Sequence, residues 1–222
     1  VFTLRGYIKA TLSSLDVTVI CTHLETPTLN GVFGGKFTTM IQENIDAEVT
    51  ELSNITQMDV DALVALIGGM EDNVILLGDL NIGINSRVDL YDALLDSAGL
   101  SNVFGTKQEL SASVNCTRCA SNPFTANQEI VDHILIKGDI MVGSAMRFLD
   151  GEYNTSAGMI PLSDHYGIKA TLSVESAIDT TYNTPESTDN TDNTPESIDD
   201  SNAETIRYIV ACAVVVLFVA VQ

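Results

Sequence analysis

Leu162-Ser163-Asp164-His165 is the stretch on which the reading of this 222-residue chain turns. It stands just ahead of an apolar run, 169–174, that reads as the last strand of a globular region. Two earlier polar clusters share a strand-end setting. Thr22-His23-Leu24-Glu25 follows the β-branched run 17–21, and Gly78-Asp79-Leu80-Asn81 follows the apolar run 74–77. A fourth signal is Asp132-His133 inside the apolar run 130–136, where a buried carboxylate demands a partner. Carboxylates, an amide and histidines at strand ends suit a metal site acting on phosphodiesters. They offer hard oxygen ligands to a divalent cation, a donor to a phosphate oxygen, and imidazoles for proton transfer.

Each cluster has a plainer alternative. A lone strand-end histidine such as His23 is often held by a backbone carbonyl. Asp79 and Asn81 are two apart, so in an extended segment both point to one side. Gly-Asp-x-Asn is equally good turn chemistry, and Ser163 could merely cap a turn. The signals gain their force from order and setting.

Outward from these clusters the chain divides into three. Residues 1–174 alternate strand-like and helix-like runs. Tyr7–Leu12 and 17–21 form a hairpin about a polar turn at 13–16. A Gly-rich loop, 29–36, leads to a helix over 37–52, whose apolar residues Phe37, Ile41, Ile45, Val49 and Leu52 recur in steps of four and three. A second helix covers 59–67 and ends at Gly68-Gly69, and a short one covers 90–98. Strands alternating with helices, with hairpins among them, imply sheets of antiparallel content covered by helices.

Residues 175–207 form a Thr-, Asn-, Ser-, Asp- and Pro-rich segment in which Asn183-Thr-Pro-Glu-Ser187 is repeated as Asn193-Thr-Pro-Glu-Ser197. Such a segment buries too little apolar surface to offset its ordering entropy and reads as a disordered acidic stalk. Residues 208–222 are a hydrophobic tail, shorter than the roughly 18–20 residues that span a bilayer as a helix. A removable glycolipid-anchor signal fits better, with Ser201-Asn202-Ala203 as the small residues and attachment near Asp199 lengthening the spacer. A short tail anchor and a buried C-terminus are the alternatives.

The chain carries 30 acidic residues against 10 basic ones, for a formal charge of −20. Nucleic-acid affinity rests largely on basic phosphate contacts, so this surface disfavours a nuclease. Three N-glycosylation triplets, at Asn54, Asn115 and Asn154, agree with an extracellular domain. Cys116 and Cys119 form a C-x-x-C with no second pair to complete a zinc site, and read as a loop staple or as two free thiols. Val1 is not an initiating Met and the opening residues already read as strand, so the chain is expected to begin inside a domain.

Thr22-His23-Leu24, Gly78-Asp79-Leu80-Asn81, Asp132 within 130–136 and Ser163-Asp164-His165, in that order, resemble the late motifs of the endonuclease/exonuclease/phosphatase superfamily. Residues 115–172 are most similar to neutral sphingomyelinases, through Val114-Asn115-Cys116, Asn122-Pro123-Phe124, Val131-Asp132-His133-Ile134-Leu135 and Ile160-Pro161-Leu162-Ser163-Asp164-His165. The usual tyrosine after the strand aspartate is His133 here. The resemblance implies an α/β fold of two stacked mixed or antiparallel sheets flanked by helices, a four-layer sandwich. It also implies that the N-terminal part is missing, with a strand-end Asn and a metal-binding Glu, so that the fragment by itself would be inactive.

The resemblance further implies roles. His165 would be the general base, with Asp132 fixing its tautomer. Asp79 and Asn81 would orient water and phosphoryl oxygens, and His23 would donate to the transition-state phosphate. Asp164, with Asp79, would hold Mg²⁺, or Mn²⁺ or another divalent cation. The implied activity is a metal-dependent phosphodiesterase of sphingomyelin-like choline phospholipids, with the globular domain at the cell surface and the membrane held through the tail. The alternatives are a nuclease or other phosphatase of the superfamily, or a non-catalytic anchored remnant. Inositol-phosphate phosphatases are disfavoured because their Trp-containing motifs are missing and the chain has no Trp.

Overall fold

The computed structural model describes residues 6–25, 42–155, 158–174 and 205–210, with side chains for 6–25, 49–154 and 158–174. The hairpin forms as the pattern implies. Strands β1 (Tyr7–Leu12) and β2 (Val17–His23) pair antiparallel about a turn in which Asp16 adopts a left-handed backbone, φ 50°. Helix α1 (Gln42–Gly68) then returns the chain so that β3 (Asn73–Asp79) lies parallel to β2. Helix α2 (Val88–Ala98) leads to the two-residue strand β4 (Ser101–Asn102). The short helix α3 (Ala112–Asn115) precedes β5 (Asp132–Lys137), which inserts antiparallel between β3 and β4. The resulting five-stranded sheet has the order β1-β2-β3-β5-β4.

A second sheet is built on β9 (Gly167–Val174), flanked by β6 (Ile140–Phe148) and β10 (Thr205–Val210), both antiparallel to it. The hairpin β7 (Tyr153–Thr155) and β8 (Gly158–Ile160) stands apart as a two-stranded ribbon. Strand alternation sorts the core into two layers. One face of the five-stranded sheet, with Val17, Val19, Ile75, Leu77, Ile134 and Ile136, packs on Ile168, Ala170, Leu172 and Val174 of β9. The other face, with Ile20, Val74, Leu76 and Leu135, packs on Leu63 and Ile67 of α1 and Leu90, Tyr91 and Leu94 of α2. The fold is α/β with two stacked sheets. Helices cover the outer face of the five-stranded sheet, and a fourth layer is not among the described residues.

One expectation is corrected. The helices expected over 37–52 and 59–67 are one continuous helix from Gln42, because nothing between Ser53 and Met58 breaks it. There Thr56 keeps its hydroxyl within bonding reach of the Leu52 carbonyl at 2.9 Å, four residues back along the same helix. Strand β6 is not legible as alternation, because a bulge between Val142 and Ser144 shifts its register at Gly143. The Gly-rich loop 29–36, the helix start 37–41, and residues 175–204 and 211–222 of the stalk and tail lie outside the described residues. Strand β10 crosses the compositional border between residues 207 and 208. No described helix is long and apolar enough to cross a membrane.

Candidate active site

Register brings three of the site residues into one row. His23 is opposite Asp79 across the parallel β2–β3 pair, and Asp79 is opposite Asp132 across the antiparallel β3–β5 pair. Side chains in register on adjacent strands share a face. Cys21, Leu77 and Ile134, two residues away on each strand, face the second sheet, so the row faces it too. That is where the Ser163-Asp164-His165 loop enters β9. The site therefore sits at the seam between the sheets, with residues from three strands and one loop.

Gly78 makes this row possible. Its φ is 146°, and a Cβ there would overlap the Thr22 carbonyl, so no other residue lets β2 and β3 close beside Asp79. The chain then turns at once. Asn81 has φ 51° and is not extended, contrary to the same-side expectation from the spacing. Its N–H donates to Asp79 Oδ1 at 3.0 Å and its Nδ2 donates to the Leu24 carbonyl at 2.9 Å. The turn chemistry of Gly-Asp-x-Asn is thus used here, and it aims the Asp79 carboxylate.

His165 Nδ1 donates to Asp132 Oδ2 at 2.8 Å. Because a carboxylate only accepts, Nδ1 carries a proton, so Nε2 is the acceptor once the ring is neutral. Asp79 Oδ2 stands between two imidazoles, 3.3 Å from His23 Nε2 and 3.9 Å from His165 Nδ1. Asp164 is at the rim, its Oδ2 4.0 Å from His165 Nε2 and its side chain 57% exposed. Burial alone would lower the His165 pKa. The hydrogen bond to Asp132, with the charges of Asp132, Asp79 and Asp164, overrides it and raises the value to about 9.

Ligand atoms of Asp79, Asp132 and His165 lie within 4.8 Å of one another, a donor set that fits a divalent cation. The exposed Asp164 is not in that group. The carboxylates of Asp79 and Asp132 supply the hard-oxygen donors such a cation prefers. A groove of about 230 Å³ opens beside His23, walled by Tyr7, Leu24, Ala62 and Leu63.

His133 is held within the core. It points to the helix face, stacks on Tyr91 at 4.8 Å, donates from Nε2 to the Ile82 carbonyl at 2.8 Å, and accepts at Nδ1 from Asn102 Nδ2 at 3.1 Å. Its burial lowers its pKa, which keeps the ring neutral. Cys116 and Cys119 are joined as a disulfide, so the staple alternative holds. Thr117, read from the sequence only as part of a glycosylation triplet, is buried, and its hydroxyl accepts from the backbone N–H groups of Val131 and Asp132. No sequence pattern marks such a role, because the residues it joins are 14 and 15 positions apart.

No protein-family model matches the chain, and no curated protein matches it. Solved structures do. A truncated TDP2 from Caenorhabditis elegans is 16% identical, with 74% of this chain and 57% of that one covered at a TM-score of 0.47. An endonuclease/exonuclease/phosphatase from Beutenbergia cavernae is 15% identical, with 76% and 47% covered at a TM-score of 0.41. The chain is similar to these in fold. Sphingomyelinase C from Streptomyces griseocarneus is 16% identical, with 75% and 56% covered at a TM-score of 0.37. The chain spans about half the length of these solved structures.

Proposed function

We propose that the chain carries the general-base part of a divalent-cation-dependent phosphodiesterase, acting on sphingomyelin or a related choline phospholipid at the outer cell surface. The observation that carries this is the His165–Asp132 pair at 2.8 Å, with the Asp79 carboxylate in the adjacent register position. With Nδ1 engaged by Asp132, His165 Nε2 would take the proton of the attacking water. Asp132 stabilises the imidazolium that results. His23, exposed beside Asp79, would donate to the developing phosphoryl charge. Asp79, with Asp164 at the rim, would hold the cation, for which Mg²⁺ is the favoured candidate. A bound cation supplies polarisation of the phosphoryl oxygen and offsets the local carboxylate charge.

The substrate class is favoured by two features. The acidic surface repels polyanions, and the partly apolar groove beside His23 suits a bulky alcohol moiety. An acidic stalk and a hydrophobic or glycolipid-linked tail would keep the domain at high effective concentration over a membrane. The test is phosphocholine release from sphingomyelin vesicles with Mg²⁺ and with EDTA. The assay is run on this chain and on the chain joined to whatever its transcript encodes upstream of Val1. Cation-dependent release that vanishes in His165→Ala supports the assignment. Hydrolysis of DNA in preference to lipid would transfer it to a nuclease, and no hydrolysis by either form would leave the non-catalytic remnant.

A further inference from the structure

The disulfide-closed loop that follows α3 bonds to the backbone at Asp132 and next to His165. Thr117 does so by itself. Its hydroxyl accepts from the N–H groups of Val131 and Asp132, each at 3.2 Å, and its carbonyl accepts from the N–H of Tyr166 at 2.7 Å. Asn122, fully buried, donates from Nδ2 to the Ser163 carbonyl at 2.7 Å. His165 is therefore pinned from both sides, through Ser163 by Asn122 and through Tyr166 by Thr117. Between these pins, the His165 N–H donates to Ser163 Oγ at 3.2 Å.

The loop is itself held. Cys116 and Cys119 are bonded, and the Asn122 N–H donates to the Cys119 carbonyl at 2.8 Å. Arg147 of β6 donates to the Cys116 carbonyl at 3.2 Å and lies over the Tyr166 ring at 4.9 Å. One member of the pair opens β5 of the first sheet and the other lies in the loop that enters β9 of the second. A hydrogen bond between side chains so placed keeps its length only as well as the backbones keep theirs. We propose that the Cys116–Asn122 loop is the positioning element of the pair, and that Thr117 and Asn122 act as its positioning residues. The proposal rests on the reading of Asp132–His165 as a general-base pair.

The full chain labelled with ¹⁵N-histidine tests this without a substrate. The His165 Nδ1–H held by Asp132 should give a protected, downfield ring resonance, and the His133 Nε2–H held by Ile82 reports that the fold is intact. Thr117→Val and Asn122→Leu should lose the His165 signal and keep that of His133. Thr117→Ser, which restores the hydroxyl, should keep both. Retention of the His165 signal in Thr117→Val and Asn122→Leu overturns the proposal. Should either variant also lose the His133 signal, Asn122→Asp decides, since it keeps size and the acceptor for the Phe124 N–H and sets a carboxylate in place of the donor to Ser163. Where the wild type turns over lipid, the same variants should lose at least tenfold in kcat with KM unchanged. Failure of the wild type to hydrolyse any phosphodiester would sink the functional assignment while leaving the resonances to decide the positioning.

Discussion

His165 is the residue on which the proposed chemistry depends, and its environment makes two testable demands. As a general base it should be hard to replace, since removing such a group typically costs about 10²–10⁴-fold. His165→Ala is expected to lose at least that in kcat, and a variant keeping more than a tenth of the wild-type rate would refute the role. Without a cation, the ring is held protonated up to about pH 9 by burial-resistant pairing with Asp132 and the charges of Asp79 and Asp164. Its folded pKa lies above the ordinary 6.5, so the stability it contributes is complete below that value and is lost as pH climbs through 9. In EDTA the urea midpoint should therefore fall between pH 6.5 and 9, and His165→Gln should flatten that fall. The identities of His23, Asp79, Asp132 and His165 were legible in the sequence because each stands in or beside an apolar run. The true posture of Asn81 was not, because period-two reasoning ends where the strand ends, and β3 ends at Asp79.

At the scale of elements, the closeness of β2 and β3 rests on Gly78. Gly78→Ala would force a Cβ against the Thr22 carbonyl at a φ of 146°, at a cost of about 3 kcal/mol or more. A loss of soluble protein or a clear drop in the denaturation midpoint is expected, and an unaltered midpoint would refute the packing described. The continuity of α1 makes a second prediction. Backbone amides of residues 53–58 should exchange as slowly as those of 60–67, whereas two helices joined by a loop would leave them fast. The sequence suggested the break because its apolar period slips there. A slip in the apolar stripe need not end a helix where neither Gly nor Pro accompanies it, and residues 53–58 contain neither.

For the molecule as a whole, the site exists only while the two sheets stay stacked. Leu172 of β9 is fully buried between them. Leu172→Ala should cost about 2–5 kcal/mol and should also weaken the His165–Asp132 bond, since His165 enters from the loop that opens β9. A downfield His165 resonance unchanged in that variant would show the seam to be rigid without the core. Mg²⁺ or Mn²⁺ added to metal-free protein should raise the thermal midpoint, as any ligand of the native state does, and Asp79→Ala should abolish the rise. By itself the sequence determined the α/β class, most strand positions, the acidic balance and the residue types of the site, because these follow from local periodicity and from side-chain chemistry. Only the tertiary structure decided that His23, Asp79 and Asp132 share one register row, that His165 meets Asp132 across the seam, and that Thr117 ties the two together. Those are contacts between residues far apart in the chain, set by strand register and sheet stacking, which no local pattern encodes.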